Sequence, residues 1–240
     1  MTILNIETST TCCSASITID GLSVSSVENL TKANHATELP VFIEQLLQQA
    51  KVSNWRLDAV ALSQGPGSYT GLRIGTSMAK GICYSLNIPL IPIDTLQILC
   101  ASIAESEYTI TEETLLCPMI DARRMEVYTA LYQPVIKSSS NSIFFFPKSE
   151  VIAKVIDNNA FSEILELHNV YFFGDGANKC RSIINAKNAC FIDDIIPRAS
   201  YMGKLAELQI NMLNDKQIAY YEPFYLKEFI AAPSHVKGLE

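Results

Sequence analysis

The stretch Gln64-Gly65-Pro66-Gly67-Ser68-Tyr69-Thr70-Gly71-Leu72-Arg73-Ile74-Gly75 restricts the fold of this chain more than any other. It follows the apolar run Ala59-Val60-Ala61-Leu62 and opens a helical pattern that reaches Leu86, so it reads as strand, tight turn, helix. Gly65-Pro66-Gly67-Ser68 predicts a type II turn, with proline presetting φ at the second position and Gly67 supplying φ > 0 at the third. Ser68 and Thr70 stand where they can accept from free N–H groups in the first turn of the helix. Such a junction can aim backbone donors at an anion. On the residues alone the simpler reading is favoured, in which the glycines let the backbone turn and pack closely. No Lys-Ser or Lys-Thr pair follows Gly71, so this is not a Walker A loop.

Composition narrows the class. Of 240 residues, 48% are hydrophobic and only 18% charged, which describes a folded chain able to bury a sizeable core. No apolar run is long enough to cross a bilayer, and the start lacks a basic region followed by an apolar one, so neither a membrane span nor a signal peptide is expected. The seven cysteines form no Cys-x-x-Cys pair, which points to a reducing cytoplasm. A net charge of −7, with no basic cluster larger than Arg123-Arg124, excludes a protein that grips a nucleic acid mainly by itself.

Along the chain, strands are expected over 2–7, 14–20 and 22–28, the last two joined by the turn Asp20-Gly21. A helix over 36–50, strand 58–62, helix 72–86, strand 89–93 and helix 95–104 follow, the last capped by Asp94 or Thr95. The second half repeats this order: strands 115–120, 126–133 and 143–146, a helix over 151–167 interrupted near Asp157, strand 170–173, helix 177–185, strand 189–192 and helix 201–213. Two copies of β-β-β-α-β-α-β-α imply an α/β fold of two lobes, residues 1–106 and 107–240. Ser138–Asn141 reads as a loop tip, and if Leu239-Glu240 is an artificial addition it carries no meaning for the fold.

The long glycine string is similar to the Gly-Pro-Gly-Ser-[Phe/Tyr]-Thr-Gly-Leu-Arg-Ile-Gly signature of the TsaB (YeaZ-like) family. That family belongs to the bacterial machinery that makes threonylcarbamoyladenosine in tRNA. Ile3-Leu4-Asn5-Ile6-Glu7-Thr8-Ser9-Thr10 resembles the family's opening strand and Thr-Ser turn. Met119-Ile120-Asp121-Ala122-Arg123-Arg124-Met125-Glu126-Val127-Tyr128 resembles its Asp-Ala-Arg…Glu-Val-Tyr motif. Beyond these roughly 130 residues the likeness thins, although Glu222-Pro223-Phe224-Tyr225-Leu226-Lys227 resembles a Pro-x-Tyr-Leu-Arg ending with lysine in place of arginine. The resemblance implies the two-lobed fold of the actin, sugar-kinase and Hsp70 superfamily (ASKHA). It also implies a non-catalytic subunit that pairs with TsaD, works alongside the ATPase TsaE, and self-pairs when TsaD is absent.

In working members of that superfamily, an acidic residue on the first strand sits near metal-bound phosphates and a Gly-Gly turn in the second lobe holds adenosine. The resemblance places Glu7, Thr8 and Ser9 at the first position and Gly174, Asp175 and Gly176 at the second. Asp175 interrupts the Gly-Gly step and brings a negative charge there, so the nucleotide site reads as vestigial. TsaD holds a metal through His-x-x-x-His. Here His35 has leucine at position 39, so neither a metal nor another cofactor is expected. The alternative, an ATP-dependent kinase or metallopeptidase of the same superfamily, is opposed by Asp175, by the lone His35 and by the chain's short length. No Gly-x-Ser-x-Gly elbow supports hydrolysis.

What remains is a surface. On helix 36–50, Leu39, Ile43, Leu46 and Ala50 complete a core face, leaving Val41 and Phe42 outside it. On helix 72–86, Gly71, Gly75, Met78, Ala79, Ile82, Cys83 and Leu86 form a stripe containing small residues four apart, which lets another helix come close. Val41, Phe42, Gly71, Gly75, Met78, Ala79 and Ile82 are therefore expected at a partner interface, and Gly65–Ser68 is expected to be structural. Little direct contact with tRNA is expected.

Overall fold

The computed structural model describes residues 1–137, 142–209 and 213–227. The expected loop tip Ser138–Asn141 and Leu239-Glu240 lie outside them. Strands β1 (Thr2–Glu7), β2 (Cys13–Ile19), β3 (Leu22–Asn29), β4 (Ala59–Gly65) and β5 (Leu90–Asp94) form a sheet of order β3-β2-β1-β4-β5. β1 runs antiparallel to β2 and parallel to β4, and β4 runs parallel to β5. Asp20 (φ 50°) and Gly21 (φ 76°) make the expected β2–β3 turn.

The pleat sorts this sheet's side chains to two faces. Leu4, Ile6, Val60 and Leu62 meet helices α1 (His35–Val52) and α2 (Tyr69–Leu86). Ile3, Ala59, Ala61, Ile91 and Ile93 meet Ile98 of α3 (Thr95–Ala104) together with Ala199, Met202 and Ala206. Asp94 caps α3, its Oδ1 accepting from Leu96 N at 2.7 Å and Gln97 N at 3.2 Å. The core face expected for α1 is the one observed.

In the second half, β6 (Thr114–Asp121), β7 (Glu126–Thr129), β10 (Ile152–Val155), β11 (Asn169–Phe173) and β12 (Ala189–Ile192) take the order β10-β7-β6-β11-β12. Directions repeat too: β6 is antiparallel to β7 and parallel to β11, which is parallel to β12. The fold is therefore the expected duplicated α/β sheet unit. The third strand of the copy, however, is β10, inside the segment expected to be helical. Ile152 and Val155 within it and Val151 and Ile156 beside it are β-branched, and they favour an extended edge over a helix. The expected third strand instead joins an inserted hairpin, β8 (Tyr132–Lys137) with β9 (Ser142–Pro147), which splits the long strand expected over 126–133.

Helices shrink in this half. α4 covers only Ser162–Leu167, and the helix expected over 177–185 is reduced to a single 3-10 turn at Asn178–Cys180. Beyond a 3-10 turn at Ala199–Tyr201, α5 (Met202–Leu208) is followed by α6 (Asp215–Tyr220); residues 210–212 of the expected helix lie outside the described ones.

The expected boundary at 106/107 falls just after α3. α3 lies between the sheets, turning Ile98 to the first and Leu96, Leu99, Cys100 and Ile103 to Leu116, Ile120 and Phe173 of the second. α5 returns to the first sheet, and Ile218 of α6 joins the core under α1 and α2. Residues after 107 thus supply part of the first sheet's core. Among the described residues, no helix is long and apolar enough to cross a membrane.

Candidate functional site: an inter-lobe turn and an outer helical face

The turn after β1 is sealed by the glycine string. Thr8 Oγ1 donates to Gly71 O at 2.9 Å, and Ser68 N donates to Ser9 O at 2.6 Å. A Cβ added at Gly67 would stand 2.3 Å from Ser9 O, at Gly71 2.0 Å from Thr8 O, and at Gly75 2.3 Å from Thr8 Oγ1. Only glycine allows that approach, so the simpler reading of the string is the physical one. The type II turn is not formed. Gly65, at φ 111°, carries the left-handed angle expected of Gly67, and the Gly65–Pro66 bond is cis. The reason is local: Gly65 is pressed against Phe224 O, while Gly67 is required by Ser9. Ser68 caps α2 as expected, its side chain accepting from Gly71 N at 3.3 Å.

Glu7, Thr8 and Ser9 are fully buried. Glu7 Oε1 accepts from Ser9 N at 2.6 Å and from the Ser9 hydroxyl, while Oε2 has no hydrogen-bond partner among the described residues. Burial pushes the Glu7 carboxyl up to about 7, against the donors of Ser9 and Ser63, and the Asp175 charge adds to the rise.

Across from it, the loop after β11 clamps onto β6. Gly174 (φ 103°) would place a Cβ 2.3 Å from Met119 O, and Gly176 one 2.8 Å from the Ile120 carbonyl carbon. Asp175 Oδ1 accepts from Asp121 N at 3.0 Å. Its carboxyl is reached by solvent yet crowded enough by protein that desolvation, with help from Asp121, raises it above the usual carboxylate value. The structure thus brings both expected turns to neighbouring strand ends. Their glycines, however, press on the chain's own backbone. Among the described residues, no group of three His, Cys, Asp or Glu could hold a metal ion, and His35 Nε2 bonds Cys12 O at 3.0 Å.

The second candidate is the outer face of α1 and α2. Here the expected stripe is corrected: Gly71, Gly75 and Ala79 are buried, turned toward β1 and β4 rather than outward. Thr8 decides this for Gly71 and Gly75, because its carbonyl and hydroxyl occupy the space beneath them, while Ala79 joins the core of the first sheet. The outward row of small residues is Ser77, Gly81 and Ser85, also four apart. A Cβ at Gly81 would meet nothing within 4 Å. The row escaped sequence reasoning because two small-residue rows share the helix and only the position of Thr8 separates them.

Beside Ser77, Gly81 and Ser85, a hollow of about 530 Å³ is lined by Ala36, Pro40, Ile74, Met78 and Ile82. It continues into one of about 500 Å³ past Ile43, Leu47 and Lys51. Met78 and Ile82 line both, Val41 is 48% exposed, and Phe42 is half-buried against the core of the first sheet.

A family model described as TsaD: tRNA N6-adenosine threonylcarbamoyltransferase matches residues 27–232. The tRNA threonylcarbamoyladenosine biosynthesis protein TsaB of Haemophilus influenzae is 28% identical over 231 residues, 95% of this chain and 94% of that protein. Its counterpart in Buchnera aphidicola subsp. Acyrthosiphon pisum is 30% identical over 182 residues, 70% of this chain and 78% of that one. YeaZ from Pseudomonas aeruginosa superposes with a TM-score of 0.71 at 23% identity, covering 94% of this chain and 99% of its own, and shares the fold. Sheet order, glycine string and relatives agree: the chain belongs to the TsaB family of tRNA threonylcarbamoyladenosine biosynthesis proteins, within the wider family of the threonylcarbamoyltransferase model.

Proposed function

We propose that this chain is a catalytically silent subunit of the machinery that threonylcarbamoylates adenosine in tRNA. It pairs with a TsaD-like catalytic subunit through the outer faces of α1 and α2, works beside a TsaE-like ATPase, and self-pairs when alone. The observation that carries this reading is the use of the glycines in both turns. The close approach that would admit a nucleotide is spent on Ser9, Thr8, Met119 and Ile120 of the chain itself. The apolar hollow along α1 and α2 supports the second half of the reading, since an open apolar groove beside an exposed glycine suits a packed helix. Val41, Phe42, Met78 and Ile82 remain interface residues in this reading, with Ser77, Gly81 and Ser85 replacing Gly71, Gly75 and Ala79. A cytoplasmic location fits such a subunit.

The test is a sizing-column mixture with the TsaD-like subunit of the same organism. Wild type should co-elute. Gly81→Arg should melt normally and fail to pair, because it places a charge in a dry contact. Normal pairing by Gly81→Arg removes this face from the interface. ATP turnover that scales with purified chain and disappears in Glu7→Gln contradicts catalytic silence.

A further inference from the structure

The hairpin joining β6 to β7 carries Arg123 at φ 66° and Arg124 at φ 48°, two left-handed residues in succession. Asn and Gly are the usual occupants of such positions, because Cβ crowds the backbone there. Packing gives no reason for arginine. Both side chains are exposed, and among the described residues neither guanidinium makes an ion pair or hydrogen bond. The acids nearby are already matched, Asp121 to Lys179 and Glu126 to Lys227, and Asp175 accepts from Asp121 N.

The base of the tip is clamped. Arg123 N donates to Asp121 Oδ1 at 2.9 Å, and Ala122 N to Glu126 O at 3.1 Å. Lys179 Nζ donates to Arg124 O at 2.8 Å and Glu126 O at 2.7 Å. A disfavoured backbone held this firmly, with two exposed guanidinium groups that make no ion pair or hydrogen bond among the described residues, is the pattern of strain kept for binding. We propose that Arg123 and Arg124 contact the phosphate backbone of the RNA on which the complex acts; this rests on the function proposed above.

Planar guanidinium forks match phosphate oxygens. They form the sole adjacent pair of basic residues in a chain of net charge −7, so a polyanion is repelled over most of the surface and attracted here. An acidic protein surface is the competing occupant. It is disfavoured because protein interfaces centre on clusters of apolar anchors, whereas the exposed large apolar side chain that strand pairing sets beside the tip, Val155 opposite Glu126, is a single valine.

The experiment measures tRNA affinity against salt for the assembled complex, with wild type and the double variant Arg123→Asn/Arg124→Gly. The expected variant melts at the same or a higher temperature and keeps its partner on the sizing column. It binds tRNA several-fold more weakly at low salt, with the slope of log K against log salt shallower by roughly one to two. Unchanged affinity and slope overturn the proposal. So does loss of the partner with tRNA binding intact, which assigns the arginines to a protein surface, and so does a lowered melting temperature with every function lost. Failure of the wild type to pair at all overturns the proposed function first and this contact with it.

Discussion

The two sheets share one strand order and differ in their cover. The first is lined by the 18-residue helices α1 and α2 on one side and by α3 and α5 on the other. The second shares α3 and otherwise has the six-residue α4, one 3-10 turn and an inserted β8–β9 hairpin. Strand order is therefore preserved by the sheet's own pairing, whereas the helices are free to change. The lobe with full-length helices is the one that presents an apolar outer groove. The same contrast runs through the two turns at the strand ends. Glu7 is sealed beneath α2, while Asp175 faces solvent.

The sharpest way to break this comparison is a charge on either face of α2. Gly75→Arg has no room beside Thr8 and Leu62, and should cost at least about 3 kcal/mol and leave little folded protein. Gly81→Arg should unfold at or slightly above the wild-type denaturant midpoint, since arginine is a better helix former than glycine. Equal stability of the two variants would mean that the inward and outward rows have been assigned to the wrong faces.

A smaller effect separates the two turns by pH. The Glu7 carboxyl stands at about 7 in the folded chain against an ordinary 4.5, so the folded state holds more protons than the unfolded one between those values. Stability should then fall as pH rises from about 4.5 through 7, by up to about 3 kcal/mol. Glu7→Gln should flatten that part of the curve relative to wild type, whereas Asp175→Asn should change it far less. Identical pH curves for wild type and Glu7→Gln would contradict the buried, half-paired carboxyl.

The smallest effect tests whether Gly81 serves the fold at all. Gly81→Ala should stabilise the isolated chain by about 1 kcal/mol through helix propensity, read from the denaturant midpoint. A loss of stability would show that Gly81 is held by a contact within the chain.

Much of the first lobe is legible in the sequence, because its strands alternate cleanly and its helices are long. The strand at Thr2–Glu7, the helix at Thr95–Ala104 and the core face of α1 are read directly from residue type and period. The second lobe is not, since short elements carry too few periods to separate helix from strand; Val151–Leu167 shows this. The turn residues Glu7–Ser9 and Gly174–Gly176 are found by resemblance. The direction in which Gly71 and Gly75 face is not, because it depends on Thr8, which is distant in sequence. Nor does local pattern reveal that α5 packs on strands some 110 to 200 positions earlier.

That last packing bears on how the chain is made. Ala199, Met202 and Ala206 supply part of the floor beneath Ile3, Ala59 and Ile91, so the lobe translated first is the one finished last. While the ribosome is still adding the second sheet, the first must wait with an uncovered apolar face. A growing chain normally completes its domains in order from the N-terminus; this one closes like a clasp, with its tail end shutting over its beginning.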